Sequence, residues 1–333
     1  MLDLRGNSDK GVRIVILMPL RDDWTSVAEL ICRLDKVLSG FPGTFRILMV
    51  DDGSLHKTPP GTFRTRYSTV RGIQVLRLRR NLGHQRAIAI GLAHLEAKIP
   101  CDAVLVMDAD GEDTPEGVLQ LLNAFAAKQG AVAIFAERSR RSESFTFQLL
   151  YKLYKILHRC LTGISVRVGN FSILPAAYLP TLVVSSEIWN HYAAALFRSR
   201  LPFTMIPIPR GHRIAGSSGM NFAGLVAHGL SAMSVFGDVV GVRLLIGSIA
   251  GSLLAGLGIL AVIFIRFFTD LAIPGWATYA TGALAIMMIQ LIAIAASFTF
   301  FVLSSRTNFG FIPSRDYALF VAETTDPYPY DRV

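Results

Sequence analysis

Three acids, Asp108, Asp110 and Glu112, stand at alternate positions directly after an apolar run, Ala103 to Met107, that reads as a short buried strand. Carboxylates at the end of a buried strand are costly unless something cationic neutralises them. A hard divalent ion held by oxygen ligands, and shared with the phosphates of a substrate, answers that need. Thr114, Pro115 and Glu116 follow, the residue types of a helix N-cap and first turn. A solvated acidic turn is the alternative for Asp-x-Asp alone. The strand before it and the capped helix after it favour a site.

The elements that must position these acids are legible on both sides. Apolar β-branched runs predict strands over 12–18, 45–50, 73–78, 103–107 and 131–135, and apolar residues at helical spacing predict helices over 25–38, 85–98 and 115–128. This alternation implies a mostly parallel sheet covered on both faces. Ligands of such sheets sit beyond the carboxyl ends of the strands. Pro19, Asp51-Asp52 and Asp108-Ala-Asp110 all fall there. The stretch 55–70 reads as a weak helix or a loop, and 166–174 and 201–208 as further strands, the latter suited to an edge by its prolines.

Between them, 145–161 is helical, with Gln148, Lys152, Lys155 and Arg159 forming one narrow basic stripe on an otherwise apolar cylinder. Such a helix lies in a membrane interface or packs as a core helix with snorkelling lysines.

Of the 333 residues, 52% are hydrophobic and only 17% charged, and the excess apolar residues lie towards the C-terminus. Leu244 to Ile265 carries no charge and would span about 33 Å as a helix. Trp276 to Leu303 is longer, with Gln290 its only amide or charged side chain. Both exceed the usual length of buried core helices and read as transmembrane. Gly247, Gly251, Ala255, Gly256 and Gly258 would let the second approach closely. The net charge of +9 could suggest nucleic acid, but beside two spans the cations face lipid headgroups and hold both termini in the cytoplasm. No apolar signal peptide opens the chain, and Cys32, Cys101 and Cys160 lack metal spacing and read as reduced thiols.

Pro19, Val50-Asp-Asp-Gly-Ser54, Asn81-x-Gly83, Asp108-Ala-Asp110 and Arg213-x-x-Gly-x-Ser218 occur in the order seen in family-2 inverting glycosyltransferases. With two C-terminal spans, the chain resembles the polyprenyl-phosphate members, similar to dolichyl-phosphate mannose synthases and bacterial GtrB-type enzymes. The resemblance implies a GT-A fold, Rossmann-like α/β, over 1–215, a juxtamembrane helix over 216–239, two spans within 240–305 and a cytoplasmic tail over 306–333, which reads as irregular.

It implies inverting transfer of a sugar from a nucleotide-sugar, with UDP favoured, to polyprenyl (undecaprenyl) phosphate at the cytoplasmic face of a bacterial inner membrane. Mg²⁺ or Mn²⁺ would sit at Asp108, Asp110 and Glu112. Pro19, Arg21, Asp51, Asp52 and Asp108 would bind the nucleotide, and Arg138, Arg213 and Ser218 the acceptor phosphate. Asp110, Arg138, Asn170 and Arg213 would carry the reaction. The partners are donor, lipid acceptor and membrane, with no nucleic acid; a homo-oligomer, such as a tetramer through the spans, is also implied.

Three departures from the pattern stand out. Leu20-Arg21-Asp22-Asp23 lacks the usual aromatic residue and Asn-Glu, so Arg21 would take over base contact. Gly169-Asn170-Phe171 has an amide where relatives carry a proposed catalytic Asp, and His84 stands where Lys is common. Asn170 feeds a rival reading as a membrane-anchored pseudoenzyme scaffold. A processive polysaccharide synthase is a third, opposed by the lack of a Gln-x-x-Arg-Trp motif.

Overall fold

A computed structural model describes residues 11–64, 66–138, 156–163, 168–215, 229–271, 273–307 and 310–329. The chain divides into two compact units, one built from 1–144, 166–235 and 311–333, the other from 145–165 and 236–310.

The first unit is organised by an eight-stranded sheet. Strands β1 (Val12–Leu20), β2 (Gly43–Asp51), β3 (Val70–Leu78) and β4 (Ala103–Val106) form its parallel centre, joined by helices α1 (Trp24–Val37), α2 (His84–Lys98) and, after β4, α3 (Pro115–Ala127). β5 (Ala133–Arg138), β6 (Val168–Pro175), β7 (Phe203–Ile208) and β8 (Val321–Tyr328) complete the order β7-β5-β6-β4-β1-β2-β3-β8. Only β6 and β8 run against the rest. Ile16, Leu17 and Met18 of β1 and Val104 and Leu105 of β4 are fully enclosed, as central strands covered on both faces should be. Thr114 caps α3 by accepting from the Gly117 N–H, with Pro115 behind it, as its sequence predicts.

One open alternative is decided and one expectation needs correction. The described residues of 55–69 form a loop, the second of the two readings open for that stretch, with the Pro59-Pro60-Gly61 turn leading to β3. The tail is not irregular: β8 pairs antiparallel with β3, with Val321 opposite Leu78 and Thr325 opposite Val75. Pro327 is tolerated because β8 is an edge strand. Trp189, Phe311 and Phe320 cluster with ring centroids 3.8–5.4 Å apart, holding the segment before β8 against this unit. Arg86 of α2 lies over the Trp189 ring.

Asp35 of α1 fastens the start of β3. Its carboxylate accepts from the backbone N–H groups of Ser68, Thr69 and Val70 and from the Ser68 hydroxyl, at 2.7–3.0 Å. Burial pushes its pKa up, but these bonds outweigh burial and hold it below its ordinary value of 3.8. The stabilisation is complete above the unfolded value and is lost as pH falls through the lower folded one. Asp35→Ala leaves buried donors unpaired and should cost about 3 kcal/mol. Thermal unfolding followed by circular dichroism should show this cost at pH 7 and a smaller difference from wild type at pH 3.

The second unit holds helices Gly237–Phe268 and Trp276–Thr307, both long and apolar enough to cross a membrane. Gly241, Ser248, Ala255 and Val262 recur every seven residues as the buried seam of the first helix. Of the small residues singled out from sequence, Gly251 and Gly258 face Leu291 and Leu284 closely, while Gly247 and Gly256 meet no side chain. Leu254 is 71% exposed and Phe300 76%, which fits a lipid-facing surface rather than a protein core. Of the basic-stripe helix, 156–162 is described and helical; Gln148, Lys152 and Lys155 lie outside the described residues. Arg243 Nη1 donates to the Cys160 carbonyl at 2.8 Å, placing a cation at that helix's C-terminal end.

Candidate active site

The carboxyl ends of β1, β2 and β4 bring their loops together. Asp51 ends β2, and Asp52 follows with both carboxylate oxygens engaged, accepting from Leu82 N–H at 2.7 Å and Gly83 N–H at 2.9 Å. Gly53, at φ +68°, permits this junction: a Cβ there would stand 2.6 Å from the Asn81 nitrogen. Asp22 ties the β1 loop to the same place, donating its N–H to Ser54 Oγ and accepting from Leu55 N–H, both at 2.8 Å. Burial raises the Asp52 pKa, while its two amide partners, Arg21 and His84 oppose the rise. Arg77 Nε stands 3.7 Å from Asp51. Pro19 sits within β1, opposite Val50.

The acidic loop after β4 is folded on itself. Asp113 accepts the Asp108 N–H and Asp110 the Glu112 N–H, each at 2.9 Å. A second loop, after β7, docks onto it: Gly211 donates its N–H to the Glu112 carbonyl at 2.8 Å and Ile214 to the Asp110 carbonyl at 2.9 Å. Gly211 must lack a side chain, because its Cβ would meet Thr114 Cγ2 at 2.5 Å. This docking carries two cations to the acids. Arg213 Nη2 lies 3.5 Å from Asp110 and 3.7 Å from Asp23, and Arg210 is ion-paired with Glu112.

His84 Nε2 is 3.0 Å from Asp108. Packing lowers the His84 pKa, but Asp108, with Asp113 and Asp110 behind it, outweighs that and holds it above its ordinary value. Burial raises the Asp110 pKa, Asp108 adds like-charge repulsion, and Arg213, Arg210 and His84 offset part of it. Burial also raises that of Asp23, against the pull of Arg213.

The structure therefore brings together Asp108, Asp110, Glu112 and Arg213 on adjoining loops, and Pro19, Arg21, Asp51 and Asp52 at the neighbouring strand ends. Glu112, expected as a third metal ligand, is turned to Arg210. Among the described residues no three acids, histidines or cysteines stand close enough to hold a metal alone. Asp108 and Asp110 nonetheless suit a divalent ion that draws its remaining oxygens from a substrate diphosphate, because two crowded, partly desolvated carboxylates gain by sharing a cation.

Arg138 ends β5, its backbone level with Ile208, two residues before Arg210. Its side chain and all of Ser218 lie outside the described residues. Sequence reasoning missed Arg210 and Asp113. The signal for Arg210 was its place two residues after the end of a strand that reaches the acidic loop.

A mostly parallel sheet whose strand ends gather paired carboxylates beneath a basic loop is the GT-A arrangement of a glycosyltransferase. The chain belongs to Glycosyl transferase family 2, which matches residues 15–181.

Among curated relatives, the chain is 24% identical over 277 residues to the uncharacterized glycosyltransferase YkcC of Bacillus subtilis (strain 168), covering 80% of this chain and 81% of that one. It is also 24% identical over 220 residues to the undecaprenyl-phosphate 4-deoxy-4-formamido-L-arabinose transferase of Salmonella choleraesuis (strain SC-B67), covering 64% of each. Among solved structures, glucosyl-3-phosphoglycerate synthase of Mycobacterium tuberculosis, crystallised with Mn²⁺, UDP-glucose and phosphoglyceric acid, superposes with a TM-score of 0.49 at 14% identity, covering 69% of this chain and 80% of that one.

Proposed function

We propose that this glycosyltransferase moves a sugar, with inversion, from a nucleotide-diphosphate sugar, UDP-linked by preference, to the phosphate of a membrane polyprenyl lipid. The observation that carries the reading is the docking of the basic loop on the acidic one, which sets Arg210 and Arg213 among Asp23, Asp110 and Glu112. Anionic groups on both donor and acceptor need such a mixed field. The two apolar helices would keep the chain where a polyprenyl phosphate resides, and the Salmonella relative is named for undecaprenyl phosphate.

In the reaction, an acceptor phosphate oxygen attacks the anomeric carbon as the bond from that carbon to the diphosphate breaks, and a nucleoside diphosphate leaves. Mg²⁺ or Mn²⁺, when bound, would neutralise the leaving diphosphate, with Asp108 and Asp110 as the residues that hold it. Arg213, and Arg138 with Ser218 by their place in the sequence pattern, would grip phosphate oxygens; a guanidinium fork does so in bidentate fashion. Arg21, Asp51 and Asp52 would line the base end. Catalysis would take place on the cytoplasmic face of a bacterial inner membrane.

No general base is needed on this reading. A sugar hydroxyl must lose a proton as it attacks, whereas a phosphate monoester, with a second pKa of about 6, already bears a deprotonated oxygen at neutral pH. Asn170 is then compatible with an active enzyme. At saturating acceptor, Asn170→Asp should change the transfer rate only modestly, and downwards, because it sets a carboxylate beside an anionic acceptor. A wild type inert with every donor, together with robust transfer by Asn170→Asp, would establish the scaffold reading instead.

The acceptor class is tested by offering the purified protein undecaprenyl phosphate and undecaprenol in parallel. Transfer to the phosphate alone is expected. Equal transfer to the free alcohol would overturn the proposal.

A further inference from the structure

Asn170 belongs to a connected chain of hydrogen bonds among four buried polar residues. Tyr192 donates its backbone N–H to Gln85 Oε1 at 2.7 Å, and Gln85 Nε2 donates to Asn170 Oδ1 at 3.0 Å. Ser172 Oγ donates to the Asn170 carbonyl at 2.9 Å and meets the Tyr192 hydroxyl at 2.8 Å. All four are buried, Ser172 and Tyr192 completely.

The direction of the two amides follows from one fixed donor. A backbone N–H can only donate, so the Gln85 oxygen must face Tyr192. Its NH₂ group is then the end that meets Asn170, and Asn170 must answer with its oxygen. The Asn170 NH₂ group is left as the only part of that amide turned away from the chain of bonds. β6 runs antiparallel to β4 with Ser172 opposite Val106. That is the last pair of this ladder, and Asn170 and Asp108 each lie two residues beyond it, towards the strand ends where the acids gather.

We infer that Gln85 is a positioning residue: it locks the Asn170 amide so that the site is offered two N–H donors and no acceptor, a polarity that fits a phosphate oxygen and repels nothing anionic. The inference rests on the lipid-phosphate reading and assigns acceptor recognition to a pair of residues 85 positions apart in the chain. Gln85→Glu reverses the polarity. A carboxylate at this position still accepts from Tyr192 but cannot donate to Asn170, so the Asn170 amide turns over and presents its oxygen to the acceptor.

The test uses the full-length protein in detergent at pH 8, with farnesyl phosphate and farnesol as acceptor probes and UDP as donor probe, bound in calorimetry. Wild type should bind farnesyl phosphate in preference to farnesol. Gln85→Glu should weaken farnesyl phosphate at least about tenfold, the scale of losing a hydrogen bond to a charged group, and leave UDP affinity unchanged. Gln85→Met, which removes the lock without adding charge, should weaken it several-fold and serves if the Glu variant does not fold, as judged by its thermal midpoint. Unchanged farnesyl phosphate affinity in a folded variant, or an equal loss for UDP, overturns the inference while leaving the acceptor reading intact. A wild type that does not distinguish farnesyl phosphate from farnesol overturns both.

Discussion

Replacing Asp110 by Asn is expected to lower transfer at least about 100-fold, the scale of losing one preorganised electrostatic stabiliser of a developing charge. Asp110 is the acid on which the site converges: it supports the acidic loop through the Glu112 N–H, faces Arg213, and carries a raised pKa from burial and from Asp108. Asn keeps the loop hydrogen bond and removes the charge. The variant should therefore fold with a near-wild-type thermal midpoint and fail in catalysis. Excess EDTA should abolish transfer by wild type. Initial-rate measurements with saturating acceptor check both, and full activity in EDTA would contradict a metal at Asp108 and Asp110.

Arg213→Ala should lower kcat/KM for the lipid phosphate between about 10- and 100-fold, on the scale of charge-assisted hydrogen bonds. Arg213 stands between Asp23 and Asp110, at 3.7 and 3.5 Å. On the proposed reading its guanidinium fork grips oxygens of the acceptor phosphate. Nucleotide affinity should survive the substitution, measured by UDP calorimetry on folded protein. An equal loss of UDP affinity would place Arg213 on the donor instead.

The central strands and the site were open to sequence reading for the same reason. A strand buried on both faces must be continuously apolar, so the first charged residue after it marks the strand end, and Asp51 and Asp108 do so plainly. The apolar helices were equally legible, since their length and uniformity leave few soluble alternatives. Pairing across long chain distances was not. β8 shows little apolar alternation because its side chains are mostly exposed at a sheet edge, and only β3 tells its backbone where to go.

Glu112 illustrates the same limit within the site. Its spacing from Asp108 and Asp110 suggested a shared ion, but its partner, Arg210, arrives from a loop 98 positions later that no local pattern links to it. Likewise Asn170 reads on its own as an amide in place of an acid, and its partner Gln85 lies 85 positions away, where no local pattern links the two.

The most direct test of the central claim is transfer itself. Purified full-length protein, undecaprenyl phosphate and Mg²⁺ or Mn²⁺ would be incubated with a panel of radiolabelled nucleotide-sugars, and the label followed into the organic phase. At least one donor should yield a labelled polyprenyl-phosphate sugar with inverted anomeric configuration, and the yield should vanish with EDTA or Asp110→Asn. Label that never enters the lipid phase with any donor, or that does so equally in the Asp110→Asn variant, would contradict the account.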